Sequence, residues 1–214
     1  MTVFLPFIFG FLAAAIGVFP PGLINMTATK VSLTDGKKQA MMFVLGALVV
    51  IFFQTYISVI FAQYIDKHEE VVVLFREIGL AVFVILTIYF LVFAKKPQLK
   101  NQDDLKVKSK RSRFFMGMVI AAINFFPIPY YVLISITLAS FNIFTFQFLP
   151  ICSFVFGVVM GSFLLFYWYV VFFNKLKTKT DFFMNNMNQI IGSITGLVAL
   201  ITLVNVVKYY FNNA

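Results

Sequence analysis

Six long apolar stretches take up most of this 214-residue chain. A bilayer hydrocarbon core requires roughly 20 apolar residues of helix, and each stretch is long enough. Continuous apolar runs do not fit the alternating strands of a membrane β-barrel, so helices are the structure that satisfies the backbone in lipid. The sequence therefore predicts an all-α membrane protein with six transmembrane helices, at about 3–26, 39–64, 71–94, 114–140, 143–173 and 188–211.

The composition agrees with a membrane location and excludes several classes of protein. Hydrophobic residues make up 61% of the chain and charged residues only 12%, which is too little charge to cover a water-soluble domain. The single cysteine, Cys152, cannot form a disulfide within the chain, and the single histidine, His68, leaves little scope for metal chemistry. We therefore expect no cofactor, no metal site and no enzymatic activity.

The basic residues indicate how the chain sits in the membrane. Fourteen of the seventeen Lys and Arg residues lie in three connections that six alternating spans place on one side: Lys30 to Lys38, Lys95 to Arg113 and Lys175 to Lys179. The positive-inside rule makes that side cytoplasmic, so both termini are predicted to face outwards. The net charge of +9 could instead mark a nucleic-acid or anionic-lipid patch on the central loop. We favour the interpretation that the basic central loop fixes the orientation of the chain in the membrane, and we predict no nucleic-acid partner.

The chain divides into two halves with three spans each, 1–94 and 114–214, joined by the basic cytoplasmic linker 95–113. Because three is odd, halves that share a fold must enter the membrane from opposite sides, which is the inverted-repeat architecture. The first span of each half is interrupted within its apolar run, at Phe19-Pro20-Pro21-Gly22 and at Asn124–Pro129. Paired breaks of this kind indicate a binding site near the middle of the bilayer.

The first half carries the motif that is most specific in this sequence. The run Gly17-Val18-Phe19-Pro20-Pro21-Gly22 is followed by Asp35-Gly36-Lys37-Lys38 and then by Gly46. This pattern resembles the amino-terminal signature of the lysine exporter (LysE/RhtB) family of amino-acid exporters. Gly117 and Asn124 are similar to the second-half signature of that family. Leu23 replaces the second proline of the first motif, and Phe125-Phe126 replace the proline and lysine that follow the asparagine.

The resemblance covers nearly all of the chain and implies a function. A member of this family would export amino acids or related small metabolites from the cytoplasm by alternating access. It would lie in a bacterial inner membrane, with a small molecule and the lipid bilayer as its partners. A non-transporting membrane interaction or assembly protein is the alternative, and a channel or an intramembrane enzyme fits less well because neither a charged ring nor a catalytic cluster is present.

The candidate substrate-binding residues flank the two breaks. A broken helix frees N–H groups for a carboxylate and carbonyls for an ammonium group, so a zwitterion can be bound without a charged side chain. Asparagine adds one donor group and one acceptor on each side. We therefore predict that substrate is bound by Pro20, Pro21, Gly22, Asn25, Asn124, Pro127, Pro129 and Tyr130.

Other polar, aromatic and small residues receive structural interpretations. Gln54, Gln147, Thr195 and Asn205 are expected to form hydrogen bonds between helices. The pairs Gly157/Gly161 and Gly192/Gly196 are expected to be packing seams within the chain, although a homo-oligomer stays open. Arg76 and Glu77 are expected to pair or to reach the interface. Tyr167, Trp168 and Tyr169 are assigned to an interfacial aromatic belt, and Cys152 to a small apolar filler.

Overall fold

The structure is a computed structural model that describes residues 3–19, 22–67, 77, 79–81, 83–85, 87–93 and 109–172, with 189, 192–193, 196–197, 199–200, 202–204, 206–207 and 211. Every regular element in this part of the chain is helical, as the sequence predicts. The α-helices are α1 (Phe4–Val18), α2 (Leu23–Thr34), α3 (Lys37–Asp66), α4 (Lys110–Ile123), α5 (Pro127–Ser140) and α6 (Phe148–Phe172), and Tyr89–Phe93 form a π-helix.

Both predicted breaks divide a span into two helices. The axes of α1 and α2 differ by 73°, and those of α4 and α5 by 63°. Proline lacks the N–H that would continue the ladder, and its ring clashes with the preceding turn. At the second break, α4 ends at Ile123 and Pro127 begins α5, the position where proline is tolerated best.

Two described helices, α3 and α6, are individually long and apolar enough to cross a membrane, and counting each bent pair as one span raises the number to four. The predicted third and sixth spans fall mostly outside the described residues. Their described positions, which lie between 77 and 93 and between 189 and 211, are helical. The chain is thus an all-helical membrane protein.

The structure corrects several predicted boundaries. Lys30 lies within α2 and not in a connection, because the helix after the first break continues to Thr34. The fifth span begins at Phe148, so Gln147 precedes the helix and is exposed. The predicted turn at Phe141-Asn142 is present, and Asn142 adopts a φ of 58°, a left-handed conformation that asparagine tolerates well.

The chain contacts divide into two compact units, each of which combines segments from both predicted halves. The first unit contains Met1–Gln63 and Asn101–Lys177, and the second contains Tyr64–Lys100 and Thr178–Ala214. The first two spans of each half therefore belong to the first unit.

Two close helix crossings hold the first unit together. Where α1 crosses α6, Gly10 lies against the backbone carbonyl of Phe154, and Gly157 lies against that of Phe7. A side chain at either glycine would collide with the opposite backbone, so these positions allow the approach that small residues provide in membrane helices.

The second crossing, between α3 and α4, is built in the same way. Gly46 lies against the carbonyl of Phe114, and Gly117 lies against that of Phe43. In both places, the predicted first span of one half crosses the predicted second span of the other half through a reciprocal pair of glycines.

Packing in the second unit also depends on glycine. A methyl group at Gly192 would meet the side chain of Leu91, and one at Gly196 would lie 3.2 Å from Cγ2 of Thr87. In the first unit, a methyl group at Gly161 would lie close to Phe11 and Ala14, one turn from the contact between Gly157 and Phe7. The prediction that both small-residue pairs are seams within the chain is confirmed.

Candidate functional site

Both helix breaks line one cavity inside the first unit. Its volume is about 80 Å³, and it lies between the start of α2, the break before α5, α3 and α6. The volume corresponds to about two or three water molecules, so groups on its opposite walls are within reach of one small solute. The lining residues are Gly17, Val18, Gly22, Leu23, Ile24, Asn25, Ile51, Asn124, Phe126, Pro127, Tyr130, Tyr131, Ser162 and Phe166.

Five of the eight predicted binding residues line this cavity. They are Gly22, Asn25, Asn124, Pro127 and Tyr130. Pro129 does not line it and is exposed in the first turn of α5. Pro20 and Pro21 lie outside the described residues. The structure therefore brings residues from both breaks together although they are about a hundred positions apart in the sequence.

The first break is closed by two side chains. The amide of Asn25 donates a 2.6 Å hydrogen bond to the carbonyl of Val18, at the end of α1. The hydroxyl of Tyr169, on α6, donates one of 2.6 Å to the carbonyl of Phe19 and also interacts with Asn25. Tyr169 is buried and does not belong to the aromatic belt, so that interpretation was wrong. Tyr167 and Trp168 are more exposed.

The second break is closed by Gln54 of α3. Its amide nitrogen donates to the carbonyl of Ala121 at 3.1 Å and to that of Asn124 at 3.0 Å. The prediction of an interhelical hydrogen bond at Gln54 is confirmed, and its acceptors lie on the broken span. Tyr130 joins this region to α1, because its hydroxyl donates a 2.8 Å hydrogen bond to the carbonyl of Ala13.

These bonds change the expected chemistry of the site. From the sequence, we predicted that the breaks leave backbone carbonyls free to bind an ammonium group. In the structure, the carbonyls of Val18, Phe19, Ala121 and Asn124 each accept a hydrogen bond from a side chain, because an unpaired carbonyl at membrane depth is costly. The breaks are therefore stabilised largely by the protein itself.

One polar side chain on the cavity wall keeps hydrogen-bonding capacity. The side-chain amide of Asn124 has no hydrogen bond within the described part of the chain. The hydroxyl of Ser162, on α6, is fully buried and interacts with the hydroxyl of Tyr131. Sequence reasoning missed Ser162 because it adjoins the Gly157/Gly161 packing seam and looks like one more small residue.

A buried ion pair lies outside the cavity. The guanidinium of Arg113, in the first turn of α4, contacts the carboxylate of Asp35, which ends α2. The Nε donates to Oδ2 of Asp35 at 2.5 Å, and both side chains are at most 1% exposed. The sequence analysis placed Arg113 at the end of the basic linker 95–113, whereas in the structure it lies within α4 and is buried. Neighbouring Arg111 is exposed and lies 5.9 Å above the Phe115 ring.

The described residues contain no group of three histidine, cysteine or acidic side chains that could hold a metal ion. Cys152, which was assigned to a small apolar filler, is exposed. Of the pair near the start of the third span, Glu77 is exposed, whereas Arg76 lies outside the described residues.

Long apolar helices and paired helix breaks define the chain as an integral membrane protein of the transporter type. It matches the LysE type translocator family over residues 15–206, and it belongs to that family. The predicted resemblance is thereby confirmed, and the activity of the family is transport, which implies a small-molecule substrate and membrane lipid as partners. No curated protein and no solved structure matches the chain.

Proposed function

We propose that this protein exports amino acids or closely related small metabolites across a bacterial inner membrane by alternating access. The observation that carries the proposal is the shared cavity, because Gly22 and Asn25 from the first break face Asn124 and Pro127 from the second. A pocket formed where two broken helices meet is the usual place for a substrate in secondary transporters.

Three features support an inverted repeat with halves 1–94 and 114–214. The bends of 73° and 63° interrupt the first span of each half. Both crossings in the first unit use reciprocal glycines, Gly10 with Gly157 and Gly46 with Gly117. Each break also accepts a hydrogen bond from the second span of the other half, through Tyr169 and Gln54.

The predicted binding residues take two different roles in this proposal. Asn124, Gly22 and Pro127 contact the substrate, because they line the cavity and the Asn124 amide has no hydrogen bond among the described residues. Asn25 and Tyr130 are positioning residues, because their polar groups bond to the carbonyls of Val18 and Ala13. Pro20 and Pro21 impose the first break, and Pro129 stiffens the start of α5.

The orientation of the chain is part of the proposal. Six spans with the basic connections in the cytoplasm place both termini on the periplasmic side. Closure of the cavity around a small solute, followed by rocking of one half against the other, would release the solute outwards. The rival interpretation, a membrane assembly protein, gives no reason for a polar cavity between the two breaks.

The experiment is amino-acid profiling of the medium of cells that overproduce the protein, with an empty vector as reference. We expect one or a few amino acids to accumulate, and Asn124→Ala to abolish this efflux while folded protein stays in the membrane. Phe125→Ala is the matched control, because the neighbouring Phe125 is 69% exposed and does not line the cavity. Unchanged efflux in Asn124→Ala would remove the site assignment.

A further inference from the structure

Two half-helices, α2 and α4, lead from the cavity to the same side of the first unit. Gly22 and Asn25, at the start of α2, line the cavity, and so does Asn124, the residue that caps the end of α4. At their other ends, α2 is capped by Asp35 and the first turn of α4 contains Arg113. With a rise of about 1.5 Å per residue, these two residues lie roughly 15–20 Å along the helices from the cavity.

The buried ion pair joins the two half-helices at this distance from the cavity. The Nε of Arg113 donates to Oδ2 of Asp35 at 2.5 Å, and both side chains are at most 1% exposed. The helices that carry them, α2 and α4, come from the two broken spans. The pair therefore holds one broken span against the other and closes the space between α2 and α4 on this side of the cavity.

Neither charge is favoured by the helix that carries it. The C-terminus of a helix is the negative end of its dipole and the N-terminus is the positive end, yet Asp35 caps the end of α2 and Arg113 lies in the first turn of α4. Each charge is stabilised by its partner instead. A buried ion pair also adds little net stability compared with apolar side chains of similar volume. These positions therefore suit a contact that forms and breaks.

The hydrogen bonds of the pair are incomplete in the closed arrangement. Oδ1 of Asp35 is buried and accepts no hydrogen bond from a described residue. Nη1 of Arg113 donates to the sulfur of Met116 at 3.1 Å, and a thioether is a weak acceptor. Water can complete both groups when the helices separate, so the separation costs less than that of a fully hydrogen-bonded pair.

Both ends of α2 lie at points where the backbone changes direction. Gly22 precedes the helix at the first break, where the axes of α1 and α2 differ by 73°. Asp35 and Gly36 connect α2 to α3, and Gly36 has a φ of 91°, which glycine adopts without strain. Residues at the ends of elements are the positions that absorb changes of backbone angle in a hinge motion. The half-helix α2 is therefore bounded by two hinge positions.

Exposed basic residues surround the ion pair. Lys37 and Lys38 follow it at the start of α3, and Lys110 and Arg111 precede Arg113 at the start of α4; all four are exposed. In the proposed orientation, the positive-inside rule makes this side cytoplasmic. The pair thus lies between the cavity and the cytoplasm.

We infer that Asp35 and Arg113 form a cytoplasmic latch, a pair of positioning residues that closes the cavity towards the cytoplasm and separates when a substrate enters from that side. This inference rests on the proposed transport function and adds the residues that control cytoplasmic access. Because the pair exists in the closed arrangement alone, it stabilises that arrangement selectively. Its removal shifts the population towards the arrangement that is open to the cytoplasm.

Chemical labelling in inverted membrane vesicles, which expose the cytoplasmic face, tests the latch without a substrate. In a Cys152→Ser background, Ile51→Cys places a thiol on the cavity wall at a position that is 3% exposed. We expect a membrane-impermeant maleimide to label this thiol about tenfold faster when Arg113→Met and Asp35→Asn are both present, because the open population rises. The double variant is used because it leaves no charge buried without a partner.

Phe125→Cys is the matched control, because Phe125 is 69% exposed and does not line the cavity. Its labelling rate should be the same with and without the ion pair. Equal rates at Ile51→Cys in the two backgrounds would overturn the latch, as would an equal acceleration at Phe125→Cys. Acceleration at Ile51→Cys from the periplasmic face alone would overturn its cytoplasmic position.

Cross-linking tests whether the pair separates during transport. In proteoliposomes loaded with the common protein amino acids, Asp35→Cys/Arg113→Cys joined by a short, reducible bifunctional thiol reagent should stop efflux, and reduction should restore it. The control is Val3→Cys/Ser153→Cys, which joins α6 to the residue before α1, where the Ser153 hydroxyl donates to the Val3 carbonyl; its cross-link should leave efflux unchanged.

Undiminished efflux through the cross-linked Asp35→Cys/Arg113→Cys protein would overturn the latch, and so would an equal loss in the control. A wild-type protein that releases none of the amino acids contradicts the proposed transport function. The labelling rates at Ile51→Cys still decide the latch in that case, because they require no transport.

Discussion

Single side chains close the gaps that the helix breaks leave in the backbone hydrogen-bond ladder. Tyr169 and Gln54 donate to the broken spans from helices of the opposite predicted half. Neither is recognisable as a partner of its break from the sequence, since the residues of each pair lie 150 and 70 positions apart. From the sequence, Tyr169 was assigned to the interfacial aromatic belt, and Gln54 was assigned to an ordinary hydrogen bond between helices.

Tyr169→Phe tests the closure of the first break. The substitution keeps the ring but leaves the carbonyl of Phe19 without its donor, and we expect it to lower the free energy of unfolding by about 1 kcal/mol. The midpoint of thermal unfolding in detergent measures this loss. Tyr167→Phe serves as control, because Tyr167 is 46% exposed, and equal midpoints for the two variants would contradict the role of Tyr169.

The ion pair between Arg113 and Asp35 gives a second prediction. Arg113→Met leaves the Asp35 carboxylate buried without its counter-charge, which should cost about 3–5 kcal/mol of stability. The double variant Arg113→Met/Asp35→Asn should recover much of this loss, because no charge is then left buried. Denaturant titration of the purified protein provides the measurement.

Arg111→Met is the control for the ion pair, because Arg111 is exposed on the same helical turn. If the Arg113→Met protein unfolded at the same denaturant concentration as the Arg111→Met protein, the buried pair would not contribute as described. If the double variant were no more stable than the single one, the loss would come from packing of the Arg113 side chain and not from its charge.

At the level of whole helices, the crossings depend on the absence of side chains. Gly157→Ala would place a methyl group against the carbonyl of Phe7, and relief of such a clash requires α1 and α6 to move apart. We expect a destabilisation of about 1–3 kcal/mol, measured as a lower unfolding midpoint. Gly79→Ala is the control, because no described residue lies within 4 Å of a methyl group there and alanine is the better helix former.

The same result should appear at Gly117, the corresponding position of the other crossing, where a methyl group would meet the carbonyl of Phe43. Equal stability of the Gly157→Ala, Gly117→Ala and wild-type proteins would mean that the helices do not cross as closely as described.

Helix ends were predicted well from the sequence where the covalent structure of a residue prevents a helix from continuing. Proline cannot continue a helix ladder, so the breaks at Phe19–Gly22 and at Asn124–Pro129 were predicted from their residues alone. Boundaries were predicted less well where helices contain polar residues. Lys30 and Arg113 were placed in connections because a basic residue usually marks one, but α2 extends past Lys30 and the Asp35 carboxylate allows Arg113 to be buried in α4.

The candidate site was predicted in part for the same reason. The breaks located Asn124 and Gly22 on the cavity wall, whereas Ser162 and Tyr131 come from helices whose sequence carries no signal of a cavity. The contact of these two residues with the cavity is a property of the packed structure. Local sequence does not contain it.

For the whole molecule, the number of spans fixes the relation between the termini. The proposed six spans with cytoplasmic basic connections would place both termini outside, so we predict that reporters that are active only in the periplasm are active at either end. A fusion in the 95–113 linker should be inactive with such a reporter and serves as the control. Termini on opposite sides would require an odd number of spans and would contradict two inverted halves of three helices.

The most direct test of a solute site between the two breaks is chemical labelling from water. In a Cys152→Ser background, which removes the single native cysteine, Phe126→Cys introduces a thiol at an exposed position of the cavity wall, and Phe125→Cys introduces one at the neighbouring exposed position that does not line the cavity. We predict that a water-soluble maleimide labels Phe126→Cys and that a transported amino acid slows this reaction, with no such protection at Phe125→Cys. Absence of labelling at Phe126→Cys, or equal rates with and without amino acid, would contradict a substrate-binding cavity between the breaks.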